Sequence, residues 1–128
     1  MALRLDNLPN AQVNPMANDC LFCKIANGDI PARKLYEDEE LVAFWDIAPQ
    51  APKHFLVIPK KHLSGPAAVD TDDEALAGRM LRKGAQLARE NGVESFRLVF
   101  NEGAEAGQTV FHLHLHVLGG RALAWPPG

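Results

Sequence analysis

The stretch Phe111-His112-Leu113-His114-Leu115-His116-Val117-Leu118 constrains this chain more than any other. It carries three of the five histidines, at strictly alternate positions. In a β-strand successive side chains alternate faces and rise about 3.3 Å per residue, so the three rings would line one face at roughly 6.6 Å intervals. Phe111, Leu113, Leu115 and Val117 would line the other face, against a core. On a helix the same spacing would scatter the rings around the axis. The period of two, with aromatic and β-branched flanks, selects the strand. A row of imidazoles can bind metal, or act as nucleophile and as acid or base near neutral pH. The plain alternative is an amphipathic strand whose polar face is imidazole by coincidence. So large a share of the chain's histidines in one strand speaks against it.

The remaining composition narrows the class. With 128 residues, 47% of them hydrophobic and 23% charged, the chain suits one globular domain with a single core. A net charge of −3 argues against a general nucleic-acid binder, though not against a small nucleotide held in a local pocket. No apolar run approaches a membrane span, and the N-terminus lacks the basic start and apolar core of a signal peptide. A cytoplasmic location is therefore expected. Cys20 and Cys23 stand too close in sequence for a disulfide framework.

Residues 1–18, rich in Asn and Pro and without periodicity, read as a flexible leader, and the domain as 19–128. A short helix begins near Cys20, with Asp19 as its N-cap, Leu21, Phe22 and Ile25 as its apolar side and Gly28 at its end. Cys20 and Cys23 have the spacing that lets two thiolates reach one metal ion, although an isolated C-x-x-C equally describes two inert core cysteines. Strands are expected at Leu35–Glu37, Leu41–Asp46, His54–Pro59 and Phe96–Phe100, besides the histidine strand. Lys60 and Lys61 read as a solvated turn. Thr71 and Glu74 form a capping box that opens one long helix, ending at Asn91-Gly92. Asn101 to Thr109 is a loop of small residues running into the histidine strand, where backbone N–H groups and the Thr hydroxyl could cradle phosphate. An aromatic residue in the Trp125-Pro126-Pro127-Gly128 tail suggests docking on something.

Taken together, the His112-x-His114-x-His116 row with Val117-Leu118, the Asp46–Pro52 and His54–His62 segments, Asn101-Glu102-Gly103 and the Trp125–Gly128 ending resemble the histidine-triad (HIT) superfamily. Within it they resemble the Hint branch of purine nucleoside phosphoramidases. The similarity runs from about Asp19 to Gly128, and the tail favours this branch over the dinucleoside polyphosphate hydrolases of the same superfamily. The resemblance implies an α+β fold, with an antiparallel sheet of about five strands and one short and one long helix, assembled as a homodimer. It implies hydrolysis of the P–N bond in AMP- or GMP-amine and AMP-lysine substrates, through a nucleotidyl-histidine, to give a nucleoside monophosphate. No cofactor is needed for that chemistry.

By the family pattern His114 is the nucleophile, His116 contacts the phosphate or helps protonate the amine, and His54 orients the triad. Asn101, Gly107, Gln108 and Thr109 would hold phosphate oxygens, and Asp46 would accept hydrogen bonds from the ribose. Phe22, Ile25, Phe44, Ile47 and Leu56 would wall the base pocket. Relatives with a similar cysteine pair bind zinc, which implies a structural zinc site at Cys20, Cys23, His62 and His112. Two departures stand out: Thr109 replaces the Ser, and Trp45 the His, of the better-known eukaryotic members. A non-catalytic nucleotide- or zinc-binding interaction protein is the alternative from another class, and loss of turnover on changing His114 separates the two.

Overall fold

A computed structural model describes residues 19–128. The expected leader, 1–18, lies outside the described residues. The chain forms helix α1 (Leu21–Ala26), strands β1 (Lys34–Glu37), β2 (Leu41–Trp45) and β3 (Lys53–Pro59), helix α2 (Glu74–Glu90), and strands β4 (Phe96–Phe100) and β5 (Leu115–Gly119). Three single 3₁₀ turns lie at Pro66–Ala68, Thr71–Asp73 and Ala104–Ala106. The five strands make one antiparallel sheet in the order β1-β2-β3-β5-β4, as the resemblance implied.

The central strands are apolar on both faces, and both faces are covered. Leu41, Ala43, Phe55, Val57, Leu115 and Val117 pack with Met80, Leu87 and Ala88 of α2. Val42, Phe44, Leu56 and Ile58 pack on the other side with Phe22, Ile25 and Ala26 of α1. Alternation within β2 and β3 thus feeds two cores, one per face, which is why these strands read as continuous apolar runs. α2 comes close to the sheet at Gly84, where an added Cβ would meet Leu115 Cδ2 at 3.0 Å and Val117 Cγ2 at 3.2 Å.

The histidine strand is shorter than its sequence pattern. β5 begins at Leu115, so His112 and His114 precede it in irregular chain. The ladder ends there because β4 stops at Phe100 and β3 beyond Val57 pairs only with β2. Leu115 is the last partner of Phe100 on one side and of Val57 on the other. Beyond Val57, the Pro59 carbonyl is taken by the His112 ring, whose Nε2 donates to it at 2.8 Å. The Leu113 N–H donates instead to the Leu63 carbonyl at 2.6 Å. The alternation of faces survives without the ladder. Leu113, Leu115 and Val117 are buried on the α2 side, whereas His112 packs beside Cys20 and Cys23 of the α1 end. Phe111 departs from it: its ring is 40% exposed, not core.

Both helix starts differ from the expected caps. Cys20, not Asp19, caps α1, its Sγ accepting from the Cys23 N–H at 3.4 Å. Asp70, not Thr71, opens the 3₁₀ turn before α2, in a box closed by Asp73 rather than Glu74. Asp73 is buried, and Lys61 is its partner at 2.6 Å, so Lys61 keeps the solvent exposure expected of it and gains an ion pair. The ammonium holds the Asp73 carboxyl below its usual range. The long helix ends at Asn91 with Gly92 at φ +82°, as the sequence indicates.

Gly119 closes β5, and a Cβ there would sit 2.3 Å from Val93 Cγ1 and 3.0 Å from the Ser95 carbonyl. Because backbone is among the obstacles, Gly119→Ala should destabilise the fold by about 1–3 kcal/mol. The urea midpoint should fall accordingly, and an unchanged midpoint would contradict this packing.

Candidate active site and metal cluster

The face of the sheet toward α1 carries a cavity of about 680 Å³. α1 supplies Phe22 and Ile25, β2 and the turn after it supply Phe44, Asp46 and Ile47, and β3 supplies Leu56. Gly107 and Thr109 of the small-residue loop, with His114 and His116, close the polar end. The wall is mostly apolar with a few convergent polar groups, the usual form of a small-molecule site. Phe22 stands edge-on to Phe44 at 5.6 Å and to His114 at 5.0 Å, so the apolar wall and the imidazole share a boundary.

Two expected residues lie elsewhere. Asn101 lines a separate cavity of about 290 Å³ on the other side of His116, together with His54. Gln108 is buried in its own loop. Its side-chain oxygen accepts from the Gly103 N–H, its amide nitrogen donates to the Ser64 and Val110 carbonyls, and its backbone N–H donates to the Gly103 carbonyl. Those bonds use the polar groups that would have met a phosphate, so Gln108 shapes the loop instead.

Trp45, noted in the sequence as a departure from the better-known members, lines the main cavity, and so does Arg33, which the sequence did not mark. The Arg33 guanidinium lies 6.0 Å from the Trp45 ring centre, so this wall carries a positive charge. Nothing in the local sequence marked Arg33, which precedes β1 and is brought in by the bond from the Trp45 N–H to its carbonyl at 3.0 Å.

Hydrogen bonding assigns each imidazole its proton. His114 Nδ1 lies 2.7 Å from the His112 carbonyl, which can only accept, so Nδ1 carries the hydrogen and Nε2 keeps a lone pair. His54 Nδ1 accepts from the Gln50 N–H at 3.0 Å, which puts its proton on Nε2. That Nε2 is 2.9 Å from His116 Nδ1 and 3.4 Å from Asp46 Oδ2. His116 Nδ1 therefore accepts, and its Nε2–H is the free donor. Asp46 Oδ1 is held by the Ala48 N–H at 2.8 Å, which fixes the carboxylate at the cavity wall. The result is a neutral imidazole with a bare Nε2 beside a neutral imidazole with a free N–H. Burial pushes His114 below the ordinary imidazole pKa. Burial, with the neighbouring His114 and His54, takes His116 down to about 4. Burial also lowers His54, against the opposing pull of Asp46.

Behind the triad, Cys20, Cys23, His62 and His112 each place one donor atom within 4.8 Å of the others. Cys20 Sγ is 3.3 Å and Cys23 Sγ 3.5 Å from His112 Nδ1. His62 Nδ1 is 3.3 Å from Cys23 Sγ and 3.1 Å from His112 Nδ1. A tetrahedral zinc with Zn–S of about 2.3 Å and Zn–N of about 2.0–2.1 Å has ligand-to-ligand edges of roughly 3.3–3.8 Å. The four donors therefore already stand close to metal-bound separations. His112 donates its other ring N–H to the Pro59 carbonyl, which turns the Nδ1 lone pair inward, the outer support typical of a metal-bound histidine. Burial would raise the Cys20 thiol, but hydrogen bonds with His112 and His62 outweigh it and hold it at about 5. Burial and the adjacent Cys20 push Cys23 up to about 12. Protons alone leave this pair only one comfortable negative charge, and a divalent cation would accommodate two. The residues fit zinc.

The family model described as scavenger mRNA decapping enzyme C-terminal binding matches residues 19–123. An uncharacterized HIT-like protein of Synechocystis is 54% identical over 114 residues, 88% of this chain and the whole of that one. The chain belongs to the HIT-like family. Among solved HIT structures, a HIT family hydrolase from Legionella pneumophila is 50% identical, superposes with a TM-score of 0.83, and covers 85% of this chain and 99% of its own. A zinc-bound histidine triad family protein from Mycobacterium smegmatis is 37% identical with a TM-score of 0.72, over 83% of this chain and 78% of that one. Among the described residues, no helix is long and apolar enough to cross a membrane.

The depressed imidazoles make a statement about pH. His116 drops from an ordinary 6.5 to about 4 on folding, so above pH 6.5 it is neutral in both states and the fold keeps its full stability. Below that, the unfolded chain takes up a proton the folded one refuses, and stability falls until about pH 4. Urea midpoints should drop between pH 7.5 and 5, and more shallowly in His116→Gln. Parallel pH profiles for the two proteins would contradict the assignment.

Proposed function

We propose that this HIT protein is a nucleoside phosphoramidase of the Hint type, cleaving the P–N bond of AMP- or GMP-amine substrates. The observation that carries the reading is His114. Its Nε2 lone pair is left for the cavity because Nδ1–H is committed to the His112 carbonyl, and it sits where an apolar pocket meets a donor imidazole. The Legionella hydrolase supports hydrolysis as the reaction class.

A purine would lie against Phe22, Ile25, Phe44, Ile47 and Leu56, with Asp46 toward the ribose. The Thr109 hydroxyl and the His116 Nε2–H would meet the phosphate oxygens. His114 Nε2 attacks phosphorus, the P–N bond breaks, and the amine leaves with a proton. Water then attacks the nucleotidyl-His114, releasing the nucleoside monophosphate and restoring the imidazole. Splitting one displacement into two lowers each barrier. The His112 carbonyl stabilises the positive charge that grows on the His114 ring during attack. A bound phosphate would act on His116 against its neighbours, raising its pKa and helping it pass a proton to the amine.

Zinc held by Cys20, Cys23, His62 and His112 would fill a four-ligand shell, a structural role rather than a Lewis-acid one. A homodimer is part of the same reading. It is supported by β4, an edge strand with every residue half-buried, and by Trp125, 81% exposed on the tail.

Purified protein should release AMP from adenosine 5′-phosphoramidate. His114→Ala should reduce this to background, whereas His116→Ala should lower turnover but leave it measurable. Turnover by His114→Ala near the unsubstituted rate would refute the reading.

A further inference from the structure

His112 is held in three ways. Its Nδ1 faces two thiols and His62, its Nε2 is fixed to the Pro59 carbonyl, and its own carbonyl accepts the His114 Nδ1–H at 2.7 Å. The chain around it has no sheet ladder, since β5 starts only at Leu115. Its one backbone tie to the preceding segment is the Leu113 N–H to Leu63 carbonyl bond, at 2.6 Å. Both residues of that bond directly follow members of the cluster, Leu63 after His62 and Leu113 after His112. The cluster therefore stands where strand pairing would otherwise hold the backbone beneath the nucleophile.

The same cluster reaches the substrate wall. Phe22 lies between Cys20 and Cys23 in sequence, and its ring is edge-on to both His112, at 6.0 Å, and His114, at 5.0 Å. The cluster thus joins the α1 end to His112.

We propose that His112 is a positioning residue that couples metal occupancy at Cys20, Cys23, His62 and His112 to the orientation of the His114 ring and the Phe22 wall. This rests on His114 being the nucleophile and on the cluster holding zinc. With the metal bound, the His112 ring is pinned at both nitrogens, and its carbonyl stays where it selects the Nδ1–H form of His114. With the metal removed, the His112 ring loses one of its two anchors. Its carbonyl is then free to shift, and His114 gains access to the tautomer with hydrogen on Nε2, which has no lone pair to attack phosphorus. Coupling between sites is reciprocal, so nucleotide binding must also be felt at the metal.

Full-length protein purified without chelators should contain about one zinc per chain. Zinc is then withdrawn by chelation, the fold checked by circular dichroism, and zinc returned. Long-range ¹H–¹⁵N spectra should show His114 as a single Nδ1–H tautomer with zinc and as a mixture without it. kcat should fall about 10- to 100-fold in step, the range found when groups supporting a metal site are lost. Returning zinc should restore both. Cobalt(II) in the same site supplies an independent arm on loaded protein: saturating AMP should shift its visible bands. A folded, metal-free protein with an unchanged tautomer and kcat would overturn the coupling while leaving the zinc site standing, as would cobalt bands blind to AMP. Protein that binds no zinc would overturn both. If the metal-free form unfolds, the cobalt arm decides. Absence of turnover in zinc-loaded protein would count against the phosphoramidase reading alone, with the tautomer and cobalt arms still deciding the coupling.

Discussion

The hydrogen bond from His114 Nδ1 to the His112 carbonyl is the interaction on which the site depends. It decides which nitrogen of the middle histidine is bare, and therefore whether the ring can act as a nucleophile at all. A second line of bonds, from the Gln50 N–H through His54 to His116, decides the opposite polarity for the third histidine. Two chemically identical side chains, two residues apart, are thus given a lone pair in one case and a donor hydrogen in the other. Burial favours the uncharged form of both rings, and a proton on His114 Nε2 would remove its lone pair.

The rest of the fold supplies what those bonds need. β5 lies between β3 and β4 and is buried on its α2 side by Leu115 and Val117, so the strand bearing His116 does not move relative to His54. His116 is in register with Leu56 across the ladder, and Leu56 lines the cavity. α1 covers the opposite face and gives the apolar wall. The small-residue loop is held closed from within by Gln108, and Gly107 turns it with φ +99°, a conformation that suits glycine.

The short apolar runs of β2, β3 and β4 translated directly into strands, because a strand covered on both faces needs apolar residues at successive positions. The period-two pattern over-extended the histidine strand. Alternation reports which side a residue faces, but a ladder also needs partners, and Pro59 and the turn after Phe100 end them. The caps were misplaced because Asp70 and Cys20 compete with their neighbours through local geometry that residue type does not reveal. Asp46, Thr109 and the five apolar residues named from the resemblance lie around one cavity. Arg33 was not legible, since a residue before a short edge strand has no pattern of its own. The position of Gln108 in the loop was clear from the sequence, and the direction of its amide, turned into the loop, was not.

The central claim is that the bare Nε2 of His114 attacks phosphorus. Rapid acid-free quenching of the protein with adenosine 5′-phosphoramidate, followed by peptide mapping with mass spectrometry, tests it directly. The account predicts one adenylyl group, on the peptide spanning Phe111–Leu118 and located at His114. Adduct on His112, His116 or His54, or turnover with no covalent adduct at any quench time, would contradict it.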